Sequence, residues 1–355
     1  MIKKGMLVAF SGLLLWCSAC KKENTVFNDV IPLQADTMIL SGIAGSEAGE
    51  IAGNSVFVDL SKGVQSSFIR RNWDLGLYTG TEFRVILNHS VGATALKLDK
   101  TDMNLVTSAD STAALTTALT LGQNTTNVDP FGGIFENYLA NTVIDEVSAT
   151  DAENHVYMIN RGGAGYTTIR KWEKVRILRN AAGNAYVVQY GDLTGDAYRT
   201  ATVTKDASFN FRYFAFPGGA TTIEPSKKLW DIEWTYSTYK GADGTTPVGT
   251  PDFVLINFAG GVTAAQVSIS GNTTFENFSE ANLDGITFSA ERDIIGTSWR
   301  TINTTNTSTV NRDRFYLIKD TDGNIYKLLF NNFSTSDGGS RGRPKFEYHL
   351  VQAGL

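Results

Sequence analysis

The stretch NWDLGL at residues 72–77 has a near copy, LWDIEW, at residues 229–234. Each tryptophan follows a phenylalanine of an aromatic, strand-like segment by 16 residues; these phenylalanines are Phe57 and Phe214. Alternation of apolar and polar residues around both stretches is typical of β-strands. We interpret the two stretches as the same core strand in two copies of one β-unit.

A second match relates residues 177–186 to residues 317–326. The first match has an offset of 157 residues and the second an offset of 140, which predicts a duplication with one deletion of about 17 residues. The predicted domains are residues 36–198 and residues 199–355. The strand at residues 198–204 is left open, as the last strand of the first copy or the first strand of the second.

The tryptophan–aspartate strand predicts how each copy builds its core. Strand spacing puts Trp73 on one face with Leu75 and Leu77, and the same pattern holds at residues 230–234. A buried tryptophan contributes about 3–5 kcal/mol relative to alanine. Asp74 should then point to the opposite face and accept hydrogen bonds from turn amides, a structural role rather than a catalytic one.

Two local patterns concern the loops. Residues 110–121 predict one short helix with Asp110 as its N-cap, although threonines weaken the pattern. The stretch DTDGN at residues 320–324 contains oxygen ligands suitable for calcium, but its glycine is misplaced for an EF-hand. The first copy has NAAGN at residues 180–184, without acids, so a hairpin turn is the prediction.

Composition excludes several classes of function. The formal net charge is −5 and no long basic run exists, so a nucleic-acid partner is not expected. No nucleotide-binding loop opens a helix, and no catalytic motif appears, so an enzyme is not predicted. The two cysteines lie near the start of the chain, and the rest of the sequence therefore has no disulfide.

Residues 1–19 are predicted to be a lipoprotein signal peptide, since an apolar run at residues 6–16 follows two lysines and precedes a cysteine. Small residues before Cys20 predict that it becomes the lipidated first residue. Cys17 is a poorer alternative because a tryptophan precedes it, and a plain cleaved signal is another. Several acyl chains suffice for stable membrane anchoring. Residues 20–35 follow as a polar tether.

The sequence resembles the HmuY family of haem-binding lipoproteins. In the C-terminal copy the resemblance lies in TVTKDAS (202–208), YFAF (213–216), LWDI (229–232), FYLIK (315–319) and DGN (322–324). In the N-terminal copy it lies in residues 57–63, 72–77, 83–88 and 183–190. The resemblance implies an all-β fold of two tandem HmuY-like antiparallel domains, anchoring to the outer membrane, and haem capture for a TonB-dependent receptor.

The resemblance also implies where the haem ligands should stand. Family members hold iron through two axial side chains, often histidine and sometimes methionine. A family histidine precedes a glycine-rich turn, and the matching positions here are Arg161 in the first copy and Thr304 in the second. Neither residue type ligates haem iron, so the ligands must be sought elsewhere in the chain.

Neutral imidazole or thioether suits haem iron. His155 is the best-placed candidate, and Met158 follows three residues later, which in a strand puts the two on opposite faces. His89 and Met103 are further candidates, whereas His349 is expected on the solvent face. The second copy has no His, Met or Cys between its Trp–Asp pair and Asp320, so we expect no axial ligation there.

Two functions remain from the sequence. The first is an outer-membrane, lipid-anchored protein that binds haem or another porphyrin, with the first copy as the binder. The second is a non-haem interaction or scaffold lipoprotein that partners an outer-membrane receptor or binds glycan at its loops. The leaflet that the anchor occupies stays open.

Overall fold

The computed structural model describes residues 32–112, 117–132, 138–166, 168, 170–303 and 307–354. The predicted signal peptide, most of the tether, Cys17, Cys20 and Thr304 lie outside the described residues. Across the described part of the chain, no helix has the length and apolar character needed to cross a bilayer.

Strands dominate the fold, and the predicted all-β class is confirmed. They are β1 (Ala35–Ile39), β2 (Asn54–Asp59), β3 (Val64–Ile69), β4 (Leu75–Tyr78), β5 (Val85–Leu87), β6 (Thr94–Lys97), β7 (Val156–Asn160), β8 (Glu173–Arg179), β9 (Ala185–Asp192), β10 (Arg199–Thr204), β11 (Phe211–Ala215), β12 (Gly219–Thr221), β13 (Ile232–Lys240), β14 (Pro247–Ile256), β15 (Thr263–Ser268), β16 (Arg300–Thr301), β17 (Thr309–Val310), β18 (Arg314–Lys319), β19 (Ile325–Asn332) and β20 (Lys345–Gln352). Short 3-10 turns join them at Gly49–Ile51, His89–Val91, Met103–Leu105, Ser108–Asp110, Thr125–Asn127, Leu139–Asn141, Asp151–Glu153, Phe258–Gly260, Glu280–Asn282 and Thr335–Asp337.

Four larger antiparallel sheets form two sandwiches. In the first sandwich, the five-stranded sheet β10-β9-β8-β7-β6 faces the four-stranded sheet β12-β11-β4-β5 across a shared apolar core. In the second sandwich, the sheet β1-β20-β19-β18-β15 faces the sheet β14-β13-β2-β3 in the same way. Side chains alternate across each strand, so each sheet contributes one apolar face to its core.

The division into two tandem domains is not confirmed, because strands from both sides of residue 198 share sheets. Strand β2 pairs with β13, and β4 pairs with β11. Each first hairpin thus lies in the sandwich of the other copy, and residues 32–355 form one compact unit. The strand left open by the sequence, β10, pairs with β9 at the edge of the first sandwich.

The duplicated tryptophan–aspartate stretches have matching backbone contacts. The Asp74 N–H donates to the Phe214 carbonyl at 2.8 Å, and the Asp231 N–H donates to the Val58 carbonyl at 2.7 Å. In both cases the asparagine that follows the second strand after the tryptophan, Asn88 or Asn257, donates its side-chain amide to the tryptophan carbonyl, at 2.7 Å and 2.8 Å. Both tryptophans are buried, as predicted.

The prediction that each tryptophan shares a face with the apolar residues after it is wrong. Leu75 and Leu77 lie in the core of the first sandwich, whereas Trp73 belongs to a separate cluster and packs edge-on against Tyr213. Likewise, Trp230 packs edge-on against Phe57, outside the main core of the second sandwich. The chain bends at the aspartate and the strand begins only after it, so strand alternation does not extend back to the tryptophan.

The shorter sequence match relates two hairpins of the same type rather than equivalent strands. Residues 180–184 turn between β8 and β9, and residues 320–324 turn between β18 and β19, which confirms the predicted hairpin. The sequence match aligns β8 with β18. In the order of strands within the two five-stranded sheets, however, β8 corresponds to β19, since each is the third strand counted from β10 or from β1. The helix predicted over 110–121 includes residues 113–116, which are outside the described residues, while Ser108–Asp110 is a 3-10 turn.

Candidate functional site

The outer face of the five-stranded sheet in the first sandwich is covered by the segment at residues 98–110. Lys174, on the central strand β8 of this sheet, is completely buried beneath the segment. Its ammonium donates to the carbonyls of Met103 and Val106, both at 3.1 Å, and of Gly195 at 2.7 Å. These three bonds take the place of the hydrogen bonds to water that the ammonium loses on burial. The lysine therefore holds the segment against the sheet.

The covering segment brings two thioethers together. Met103, from the segment, and Met158, from β7, are buried in one apolar cluster whose other members include Leu98, Val156 and Leu193. Among the hydrophobic clusters of the described residues, this is the one that contains two methionines. Both methionines are candidate ligands from the sequence, but 55 residues separate them and no spacing rule relates the two.

His155 does not join this cluster. Its Nδ1 lies 2.7 Å from the Leu98 carbonyl oxygen. A carbonyl only accepts, so Nδ1 carries the proton in this contact. Met158 packs in the outer cluster, whereas Tyr157 and Ile159 pack in the core on the other side of β7. His155 and Met158 therefore lie on opposite faces, as the spacing predicts, and do not form an axial pair.

His89 sits in a buried polar site between the four-stranded sheets. Its ring packs edge-on against Trp73 with centroids 5.7 Å apart, and its Nδ1 lies 3.3 Å from the Ser237 hydroxyl. Burial, together with the charge of Arg292, holds the pKa of the His89 imidazole well below its usual range. The adjoining cavity measures about 30 Å³, which admits water but not a porphyrin.

Burial raises the pKa of three acidic groups around this polar site. Burial raises the pKa of Glu224 to about 8, although the N–H groups of Asn210 and Phe211 donate to its carboxyl. Burial also raises the pKa of Glu233 to about 7 and that of Asp129 to about 6. Glu224 therefore keeps its proton at neutral pH, and the described residues that line this site include no second imidazole and no thioether.

Arg161 stands where the family resemblance expects a histidine, and it forms an ion-pair network. Its guanidinium donates twice to Asp74, at 3.0 and 2.9 Å, and once to the Phe216 carbonyl at 2.7 Å. Arg170 donates to the same carboxylate at 2.8 Å, and the Phe216 N–H donates to it at 2.7 Å. Asp231, the counterpart of Asp74, accepts from the Leu60 amide at 2.8 Å. Both aspartates therefore accept from backbone amides, as predicted.

The second sandwich covers its large sheet without thioethers. The buried ammonium of Lys327, on β19, donates to the carbonyls of Phe275, Glu276 and Phe278. The aromatic rings of Phe275 and Phe278 pack beneath this segment against Phe315. His349 is exposed, as predicted. Within the described residues, no group of three or more His, Cys, Asp or Glu side chains is arranged to hold a metal ion.

Comparison with known proteins identifies the family. The model of the family described as HmuY protein matches residues 52–348. Among solved structures, an HmuY-like heme-binding protein from Bacteroides vulgatus is similar at 10% identity, covering 90% of this chain and 93% of that chain with a TM-score of 0.23. No curated protein matches the sequence.

Proposed function

The chain belongs to the HmuY family, and from this premise we propose that it binds haem or a closely related porphyrin. The observation that carries the proposal is the family match, which spans strands of both sandwiches from residue 52 to residue 348. The proposed role is binding and delivery rather than catalysis.

The paired methionines are the ligands that we propose for the iron. Thioether sulfur is a soft ligand and a known axial ligand of haem. Met103 and Met158 share a cluster walled by apolar side chains, and such a wall excludes water from a metal site. Bound haem would supply the iron, while this chain supplies the two sulfur atoms and a dry, apolar surround.

Haem entry at this cluster requires the covering segment to move outward. Met103 is 1% exposed and Met158 is 0% exposed, so the cluster is closed. The three hydrogen bonds of Lys174 hold the segment down, and two of them end on residues 103 and 106. We therefore expect uptake to be limited by release of this segment.

The second sandwich is proposed not to ligate haem through nitrogen or sulfur. Phenylalanines occupy the space beneath its covering segment. Met38 is the methionine of this sandwich within the described residues, and it lies in the inner core rather than under the segment. One haem per chain is therefore the expected stoichiometry.

A titration of the full chain with haemin, followed by the Soret band, tests the proposal. Wild type should give a saturable Soret shift at one equivalent. Met158→Leu and Met103→Leu keep the core volume but remove sulfur, and each should weaken binding by about tenfold or more. Met38→Leu is the matched control and should bind as wild type does.

Two results would overturn parts of this reading. A wild-type chain that gives no Soret shift removes the haem function itself. A Met103→Leu/Met158→Leu double variant that binds as wild type does removes the methionine pair and leaves the function standing. His155→Ala and His89→Ala, tested in parallel, then identify an alternative ligand.

The membrane anchor and the receptor partner are also proposals. We propose acylation at Cys20 and residence in the outer membrane, from the leader pattern alone. Metabolic labelling with palmitate should mark wild type and Cys17→Ser but not Cys20→Ser, with the label recovered in the outer-membrane fraction. We propose a TonB-dependent receptor as partner, and capture from solubilised outer membranes should retain such a receptor.

A further inference from the structure

A wide cleft opens at one end of the first sandwich, and neither Met103 nor Met158 lines it. It measures about 540 Å³, within the range of small-molecule sites. Its walls come from the residue after β7, the start of β8, the end of β9 and the loop that leads to β10. Arg161, Glu173, Asp192, Tyr198 and Arg199 are among the residues that line it.

The floor of the cleft carries a carboxyl group without a partner. Glu173 begins β8, on the side of the strand that also carries the core residues Val175 and Ile177, and it is 7% exposed. Within the described residues, its carboxylate accepts no hydrogen bond and forms no ion pair. The Glu173 carboxylate oxygens are not among the buried atoms that lack a partner; they open into the cleft, where they are free to accept hydrogen bonds from a ligand.

The electrostatics agree with a functional carboxyl. Burial raises the pKa of Glu173 to about 7; Asp192 and Asp74 raise it further, and Arg161 and Arg199 lower it. A perturbed pKa inside a cleft is more frequent at binding sites than on ordinary surfaces. The geometry, a buried carboxyl that lines an open cleft, stands independently of this shift.

The rim offers hydrogen-bonding groups of both signs. Arg199 and Lys171 are exposed cations, and Asp192 and Asp196 are exposed anions. Arg161 and Arg170 already share the carboxylate of Asp74 and do not form a free anion trap. A ligand of one strong charge would therefore meet repulsion from half of the rim, whereas a neutral ligand with many hydroxyl groups would not.

We propose that this cleft binds a neutral saccharide, with Glu173 accepting hydrogen bonds from sugar hydroxyls, Arg199 donating to a hydroxyl oxygen, and Tyr198 packing against the sugar ring. Each sugar hydroxyl both donates and accepts, which suits the mixed groups of the rim. The volume fits one or two sugar rings rather than a long chain. This site goes beyond haem binding: Glu173 and Arg199 are not proposed haem ligands, although Tyr198 also packs against the cluster of Met103 and Met158.

A glycan array probed with the fluorescently labelled full chain tests the proposal. Wild type should retain neutral glycans, and the best of these is then titrated by calorimetry. Glu173→Gln keeps the shape and removes the charge, while Arg199→Ala truncates an exposed rim residue that cannot compromise the core. Each should weaken binding by about tenfold or more, since hydrogen bonds to charged groups are the strongest type. Glu50→Gln, at an exposed site elsewhere, is the control and should bind as wild type does.

Three outcomes would overturn the saccharide site. Retention of no neutral glycan would do so, as would retention of charged glycans alone. Equal affinity of wild type, Glu173→Gln and Arg199→Ala for the best glycan would also do so. The Soret titration of the same preparations is independent, so failure of this site and failure of haem binding are separable.

Discussion

The two sandwiches fasten the covering segment of their large sheet in the same way but enclose different side chains beneath it. Lys174 in the first and Lys327 in the second lie on the third strand, and each donates to three backbone carbonyls of surrounding loops. Thioethers lie beneath one segment and phenyl rings beneath the other. The comparison teaches that the duplicated fold retains its fastening while the enclosed chemistry diverges.

A second difference lies at the duplicated aspartates. Asp74 accepts from two arginines and one backbone amide, whereas Asp231 accepts from one amide, and burial raises the pKa of Asp231 well above its usual range. Both carboxyl groups are almost fully buried. The first sandwich therefore has a carboxylate paired with two arginines at a place where, in the second, burial shifts the carboxyl toward its protonated form.

The largest expected effect is a difference in unfolding free energy between alanine variants of these two aspartates. Asp74→Ala removes the carboxylate partner of two partly buried guanidinium groups and the acceptor of one amide, and it should cost about 3–5 kcal/mol of unfolding free energy. Asp231→Ala removes one hydrogen bond from a carboxyl that is poorly solvated, and it should cost about 1 kcal/mol. Urea unfolding at pH 7, followed by tryptophan fluorescence, measures both. Equal losses of unfolding free energy in the two variants would contradict the distinction between Asp74 and Asp231.

The next effect concerns pH and a residue that only one copy has. Glu224 follows β12, and the position 157 residues earlier is Ser67. The folded pKa of Glu224 is about 8, against an unfolded value near 4.5. Between these values the folded state holds a proton that the unfolded state releases, so unfolding free energy falls as pH rises from about 5 to about 8.

Glu224→Gln tests this slope directly. The amide keeps an acceptor for the Asn210 and Phe211 amides but does not titrate, so the variant should lose up to a few kcal/mol of the pH dependence. Glu50→Gln, at an exposed position, should retain the wild-type slope. Unfolding free energies at pH 5, 6, 7 and 8 provide the comparison. A slope unchanged in Glu224→Gln would assign the pH dependence to Glu233 and Asp129.

The sequence predicts the strand content and the two buried tryptophans, because apolar alternation specifies which residues face a core. It does not predict that β2 pairs with β13 and β4 with β11. The hairpins β2-β3 and β11-β12 present similar backbone donors and similar apolar faces. Either hairpin could therefore pair with β13 or with β4. The choice depends on how the chain turns between β3 and β4, around Trp73, where no alternation exists.

The candidate site was predictable in its residue types but not in its pairing. Met158 and Met103 carry thioethers, which are soft ligands, but the sequence spacing relates Met158 to His155 rather than to Met103. Only the path of the covering segment brings Met103 over β7. The sequence of β8, EKVRILR, does not single out Lys174 as buried, because Arg176 and Arg179 alternate with apolar residues in the same strand.

The smallest expected effect tests the shared fastening itself. Lys174→Met and Lys327→Met keep an unbranched apolar side chain of similar length, but each removes the ammonium that donates to three backbone carbonyls. Each should cost about 1–3 kcal/mol, expressed mainly as local opening of the covering segment. Hydrogen exchange should accelerate at residues 103–106 in the first variant and at residues 275–278 in the second. Lys171→Met, at an exposed lysine, should change neither.

The functional consequence of the two lysine variants should differ even though their structural consequence is the same. Release of the segment at residues 98–110 exposes the sulfur atoms of Met103 and Met158, so Lys174→Met should take up haemin faster than wild type in stopped-flow mixing. Release of the other segment exposes only phenylalanine rings, so Lys327→Met should leave the uptake rate unchanged. If both variants accelerate uptake equally, the methionine cluster is not the entry site, and the difference beneath the two segments has no bearing on haem.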